Sequence, residues 1–169
     1  MADKYIYNNN GVKTEKEATV VSAGAVDAGK ILALGPDGRL DDTVMPVGIT
    51  AGTLLAVASE PLSAGDLVNI YDNAGVVSVR KADAATNKEA HGFVKSAVPS
   101  GGNATVYFDG TISGLSGLTP GARQYLSGTT AGQRTETAPT TSGYIVQYVG
   151  FATSTTSMSF EPDDKIVLA

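Results

Sequence analysis

Two stretches of this chain say nearly the same thing. The later one begins Gly117-Leu118-Thr119-Pro120-Gly121, runs into Tyr125-Leu126 and turns at Ala131-Gly132. It returns through Val149-Gly150-Phe151 and closes on Met158-Ser159-Phe160. The earlier one begins Pro61-Leu62-Ser63-Ala64-Gly65, runs into Ile70-Tyr71 and turns at Ala74-Gly75. It returns through His91-Gly92-Phe93-Val94 and closes on Val106-Tyr107-Phe108. A shorter version lies upstream: Val26-Asp27-Ala28-Gly29, then Ile31-Leu32-Ala33-Leu34, a turn at Asp37-Gly38 and a return at Val47-Gly48-Ile49. An internal repeat constrains the fold more than any single motif, because each copy must form the same supersecondary unit. Each copy reads as turn, strand, turn, strand, and the period is too loose for a solenoid. Short apolar runs punctuated by Gly, Pro and Asn indicate an all-β sandwich or barrel. A βαβ architecture needs helical segments of about 10–15 residues between strands, and none is visible. The expected fold is mainly β: a compact antiparallel barrel or sandwich built from degenerate repeats, with an N-terminal arm and at most one short helix.

Along the chain, residues 1–22 stand apart as an arm, and 23–169 read as a single β-domain with sub-blocks 23–60, 61–110 and 111–169. In the arm, Tyr5-Ile6-Tyr7 is β-prone, and Asn10-Gly11 is a tight hairpin turn because both residue types tolerate positive φ. Residues 40–45 have room for one helical turn. Strands are expected over 53–59, 67–70, 76–79, 93–98, 104–108, 124–126, 144–152, 157–160 and 165–168. Residues 82–90, capped by Asp83, are the best helix candidate. Residues 110–117 read as a crossing loop, and 128–143 as an exposed Thr- and Gly-rich excursion.

Charge is scarce. Only 17% of residues are charged, against roughly 25% in an average soluble chain. A surface of small neutral residues suits contact with other proteins, since charge is depleted at interface cores. The net charge of −5 and the lack of a basic run argue against a phosphate-backbone binder, so no nucleic acid is expected as partner. There are no cysteines, which removes disulfides and thiolate sites and fits folding in a reducing cytoplasm. No apolar signal region follows Met1, and no run reaches the roughly 18 apolar residues of a membrane span. No membrane association is expected.

Motifs that could carry chemistry are weak. Gly24-Ala25-Val26-Asp27-Ala28-Gly29-Lys30 has the spacing of a phosphate-binding loop up to the lysine. Ile31 follows where a Ser or Thr is required, and a β-run follows where a helix is required. His91 is the sole histidine, with Glu89 on its face if the strand starts early, but no sequence signature marks a nucleophilic serine. One histidine and scattered carboxylates do not recommend a metal site. The pairs Asp41-Asp42 and Asp163-Asp164 would point to opposite faces of an extended chain and read as solvated turns. Asn103-Ala104-Thr105 matches a glycosylation acceptor, a pattern common by chance. Tyrosines 71, 107, 125, 144 and 148 could form a carbohydrate platform, but packing in a core or subunit interface explains them more simply. The expectation is a non-enzyme with no cofactor.

Several of these stretches carry a family resemblance. Lys30-Ile31-Leu32-Ala33 with Asp37-Gly38-Arg39-Leu40 and Pro46-Val47-Gly48-Ile49 resembles the opening of capsid decoration, or cement, proteins of tailed bacteriophages. Ala64-Gly65-Asp66-Leu67-Val68, Val79-Arg80-Lys81-Ala82-Asp83 and His91-Gly92-Phe93-Val94 resemble the same family, as do Ser113-Gly114-Leu115, Tyr125-Leu126-Ser127 and Val149-Gly150-Phe151-Ala152. The likeness spans residues 26–169. It implies a structural virion protein, made in the host cytoplasm and placed on the outer capsid surface. There it would bind the major capsid protein and stabilise the head, commonly as a trimer, with no catalytic residues to carry over. The arm would add a strand to a neighbour's edge, with Tyr5, Ile6, Tyr7 and Lys13 as the expected capsid contact. The alternative is a head-fibre or tail adhesion module that binds host surface glycans through the 128–143 excursion. An enzyme built on His91 is a third, weaker reading.

Overall fold

The structure is a computed structural model that describes residues 4–36, 38–41, 44–45 and 52–169. It resolves into two compact units, residues 1–50 and 51–169. The expected turn residue Asp37, the acidic Asp42 and the expected return at 47–49 lie outside the described residues, and so does part of the 40–45 turn.

In the first unit, strands β1 (Lys4–Asn9) and β2 (Val12–Glu17) form an antiparallel ribbon in which Lys4 faces Glu17 and Asn9 faces Val12. Asn10 and Gly11 take φ of 50° and 89°, the primed turn their sequence demands. Beyond the ribbon the chain makes a 3-10 turn at Ala25–Asp27. It pairs with itself once more, where Thr19 bridges Leu32 in parallel. The expected strand at 31–34 is thus reduced to one bridge.

The second unit holds the two full repeats, and they share one topology. In the first repeat, β3 (Thr53–Ala58), β4 (Leu67–Asn73), β5 (Val76–Lys81), β6 (Gly92–Val94) and β7 (Asn103–Tyr107) lie in the order β5-β4-β6-β7-β3. In the second, β8 (Gly110–Ser113), β9 (Arg123–Leu126), β10 (Arg134–Thr135), β12 (Tyr148–Ala152) and β13 (Ser157–Phe160) lie in the order β10-β9-β12-β13-β8. The orders are the same, strand for strand. Between β10 and β12, β11 (Ile145–Val146) pairs with the C-terminal β14 (Ile166–Val167). Residues 110–113 are therefore a strand, where a crossing loop is expected: β8 takes in the second repeat the place that β3 takes in the first.

Hydrogen bonds repeat as well. Gly65 N–H donates to Val94 O and Gly121 N–H to Ala152 O, both at 2.8 Å. Asp66 N–H donates to Ser63 O, and Ala122 N–H to Thr119 O. The glycines at the return matter most. A Cβ on Gly92 would lie 2.6 Å from Tyr107 O, and one on Gly150 would lie 1.9 Å from Ser159 O. In each copy the returning strand passes so close to its neighbour that only glycine fits.

The copies differ in closure. The first curls into a barrel because β5 runs long enough to pair in parallel with β3, Val57 against Ser78. That parallel pair departs from the expected antiparallel pattern, as does the Thr19–Leu32 bridge of the first unit. The second stays an open sheet because β10 is two residues long. The barrel interior takes Ala56, Ala58, Val68, Val79, Val94, Ala104 and Val106, small side chains suited to the narrow bore of five strands. Period-two alternation sends the intervening residues outward. Leu67 and Phe93 thus join Ile112, Leu126, Met158 and Phe160 in a second core between barrel and sheet. Phe93 stacks on Tyr107 at 5.6 Å and meets Phe160 edge-on at 5.4 Å.

The expected helix at 82–90 is a single 3-10 turn, Ala84–Thr86. Asp83 caps it, accepting from Ala85 N–H at 2.9 Å, as the sequence indicates. Asn87 in the left-handed region ends it at once, because the backbone of Asp83 and Lys88 bridges the loop. A helix this short has no stability of its own, and the sheet sets its length.

Candidate functional site

Where the two repeats meet, a shallow cleft of about 530 Å³ opens on the surface of the second unit. Its apolar lining is Ile70, Ala90, Phe108 and Pro162. Its rim is acidic: Glu89, Asp163 and Asp164. His91 lies in its wall, so the sole histidine and three carboxylates do come together.

The geometry occupies the lone pair with which His91 could act as a base. Its Nδ1 accepts the Ile70 N–H at 2.9 Å, so the ring proton sits on Nε2. Nε2 is 3.3 Å from the Glu89 carboxylate. A general base needs an unoccupied nitrogen lone pair within reach of a substrate proton, and here a backbone amide holds it. The strand does not start early, since β6 begins at Gly92, so it is this side-chain contact and not alternation that brings Glu89 and His91 together. The Glu89 carboxylate is further tied to Lys165 Nζ at 3.4 Å. Among the described residues no three His, Asp or Glu side chains converge as a metal would require.

Asp163 and Asp164, expected as solvated residues on opposite faces, are both exposed, and both border the cleft. The alternation rule does not reach them because the segment is not a strand. Asp163 N–H donates to Tyr148 O, and its carbonyl accepts from Gln147 Nε2 at 3.1 Å. Gln147 is the residue that the sequence reading passes over. It is buried, its Oε1 accepts from Ala90 N–H at 2.7 Å, and its Nε2 also donates to Ala90 O at 3.0 Å. One side chain, in the link between β11 and β12, thus ties Ala90 in the cleft wall to Asp163. The available signal was a polar residue inside the apolar run 145–149, since a buried polar group is the informative exception.

The expected contact residues lie on the ribbon of the first unit. Ile6 is 69% exposed and Tyr7 40%. Tyr5 is half-buried, and its enclosed hydroxyl has no hydrogen-bond partner among the described residues. Lys16 lies 4.3 Å over the Tyr7 ring, and Lys4 pairs with Glu15. Lys13 faces Asn8 near the tip and forms no ion pair among the described residues. Alternation puts Tyr5 and Tyr7 on one face and Ile6 and Lys13 on the other.

The remaining candidates disperse. In the 24–30 loop, Asp27 accepts from Ala23 N–H and pairs with Lys30, so loop donor and lysine turn inward. That ion pair holds the Asp27 carboxyl below its ordinary range and raises the Lys30 ammonium. The tyrosines do not converge on a platform. Arg80 covers Tyr71, Lys95 covers Tyr107, and Tyr125 meets Tyr148 edge-on. Tyr144 precedes β11 instead of lying on a strand. The 128–143 excursion is half built in. Leu67 N–H donates to Gly132 O, and Gln133 Nε2 donates to the buried Asp66 carboxylate at 2.8 Å. Its other half borders a 220 Å³ depression lined by hydroxyls, among them Thr129, Thr135, Thr137 and Tyr144.

No family model matches the chain, and no curated protein matches it. Among solved structures it is similar to the N base of the head fiber gp8.5 of bacteriophage phi29, at 14% identity and a TM-score of 0.43, over 66% of this chain and 95% of that one.

Proposed function

We propose that this chain is a structural virion protein of a tailed bacteriophage that attaches to the outer surface of the head and stabilises it through protein–protein contacts, without catalysis. The observation that carries the reading is the surface of the first unit. Among its described residues nine large apolar ones are exposed, including Ile6, Val21, Val26, Ile31 and Leu34. Among its described residues only Thr19 is buried. Leu67 and Val68, at the repeat positions matching Ile31 and Leu32, are fully buried. A segment with strand-forming sequence and no core of its own marks an interaction surface, and a two-stranded ribbon is marginal alone in water. Tyr5, Ile6, Tyr7 and Lys13 are its contact residues, the major capsid protein is its partner, and the arm at 1–22 is separable from the rest. Many identical sites on a lattice multiply weak contacts, which suits a small homo-oligomeric unit. Co-sedimentation with undecorated heads tests this: saturable, stoichiometric uptake is expected, and no uptake at micromolar protein would sink it.

The hydroxyl-lined depression at 128–143 favours a second reading, a head-fibre or tail module that binds host glycans. A glycan array separates the two: signal with wild-type chain, lost in Thr137→Val, supports the module, and a blank array removes it.

A further inference from the structure

We propose that the cleft between the repeats is a socket for a cationic side chain, arginine before lysine, carried by the protein surface on which this chain sits. The inference rests on the attachment reading and names what the second unit contributes to it.

Three observations converge. First, the rim is an uncompensated anion. Glu89 is balanced by Lys165, but Asp163 and Asp164 form no ion pair among the described residues. The Asp163 backbone is pinned at N–H and carbonyl, while its side chain is exposed and open to a partner. Second, the lining includes an aromatic ring without a cation among the described residues. Tyr7, Tyr71, Tyr107 and Tyr148 each lie under a Lys or Arg of this chain, whereas Phe108, 39% exposed, has none among the described residues. Third, the carboxylates do not converge as a metal requires. They border a cleft that is also lined by Ile70, Ala90, Phe108 and Pro162, apolar surface against which an aliphatic stem can pack. Guanidinium fits this set best: it is planar, weakly hydrated, stacks on rings and pairs with carboxylates. The whole chain carries −5, so a cationic partner would also meet it with long-range attraction.

His91 provides the reporter, because it is the only histidine and its ring lines the socket. The full chain is titrated with acetyl-Leu-Arg-Leu-amide while the His91 ring signals are followed by NMR. The Glu counterpart of that peptide and Ca²⁺ serve as controls. Saturable movement at millimolar peptide is expected, with none from the Glu peptide and none in the Asp163→Asn/Asp164→Asn double variant. Substitution by Asn keeps side-chain size at exposed sites, and an unchanged amide spectrum confirms the fold. On heads, the same variant should bind about tenfold more weakly, as for two exposed ion pairs. Immobile His91 signals, shifts that survive the double variant, or a response to Ca²⁺ alone each overturn the socket. Peptide binding without any head binding would instead count against attachment and leave the socket standing.

Discussion

The return glycines give the sharpest test of the repeat. Gly92 has ordinary φ, but a Cβ there would meet Val106 Cγ1 at 2.5 Å and Tyr107 O at 2.6 Å. Gly110 is the reverse: φ is 113°, yet nothing lies within 4 Å. Gly150 combines both, with φ of 134° and Ser159 O at 1.9 Å. Overpacking costs about 1–3 kcal/mol, and a side chain in a sparsely populated φ/ψ region costs of order 1–3 kcal/mol. Gly92→Ala and Gly110→Ala should thus each lose about 1–3 kcal/mol, from different causes. Gly150→Ala should lose about 2–6 kcal/mol, close to their sum. Against a typical total of roughly 5–15 kcal/mol, the last variant is near the limit of folding. Urea unfolding measures this, since a slope of about 1–3 kcal/mol per molar turns a loss of about 4 kcal/mol into a midpoint shift of roughly 1–4 M. If Gly150→Ala unfolds no earlier than Gly110→Ala, the close approach at the return strand is not what keeps glycine there.

Other outcomes follow from the same geometry. Asp83→Ala removes acceptors for Ala85 N–H and Thr86 Oγ1 and should cost about 0.5–2 kcal/mol by denaturant melt. Gln147→Leu strands the Ala90 N–H in the interior and should cost about 1–3 kcal/mol, with hydrogen exchange at Ala90 quickening first. The Thr119 N–H holds the Glu136 carboxyl below the usual range. Its stabilisation is therefore complete above the ordinary carboxylate value of about 4.3 and fades as pH falls through the lowered one. Glu136→Gln should accordingly shift thermal stability at neutral pH but not at pH below both values, and an equal shift at every pH would contradict that assignment. Deleting residues 1–22 should leave unfolding of the second unit unchanged while weakening head attachment; a truncated chain that does not fold puts the arm in the core.

Much of the fold is legible in the sequence because the repeat is written in glycine. Gly65 and Gly121, then Gly92 and Gly150, mark the same bends, and the apolar runs between them give β4, β9, β6 and β12. Closure is not legible. Whether five strands shut into a barrel depends on β5 outrunning β10, a matter of pairing across distant residues that local pattern does not encode. The helix at 82–90 fails for the same reason: Asp83 signals a cap, but the Asp83–Lys88 bridge allows one turn. The cleft was half visible. Glu89 and His91 stand out in the sequence, but both precede β6 and alternation does not account for their contact, and Asp163 and Asp164 lie on an irregular backbone that Gln147 holds.

The function proposed above is passive attachment to a phage head. Calorimetry of undecorated heads with increasing chain tests it most directly. The melting temperature of the head should rise with occupancy and level off once the sites are filled. Heads that melt at one temperature, with or without saturating chain, would contradict it.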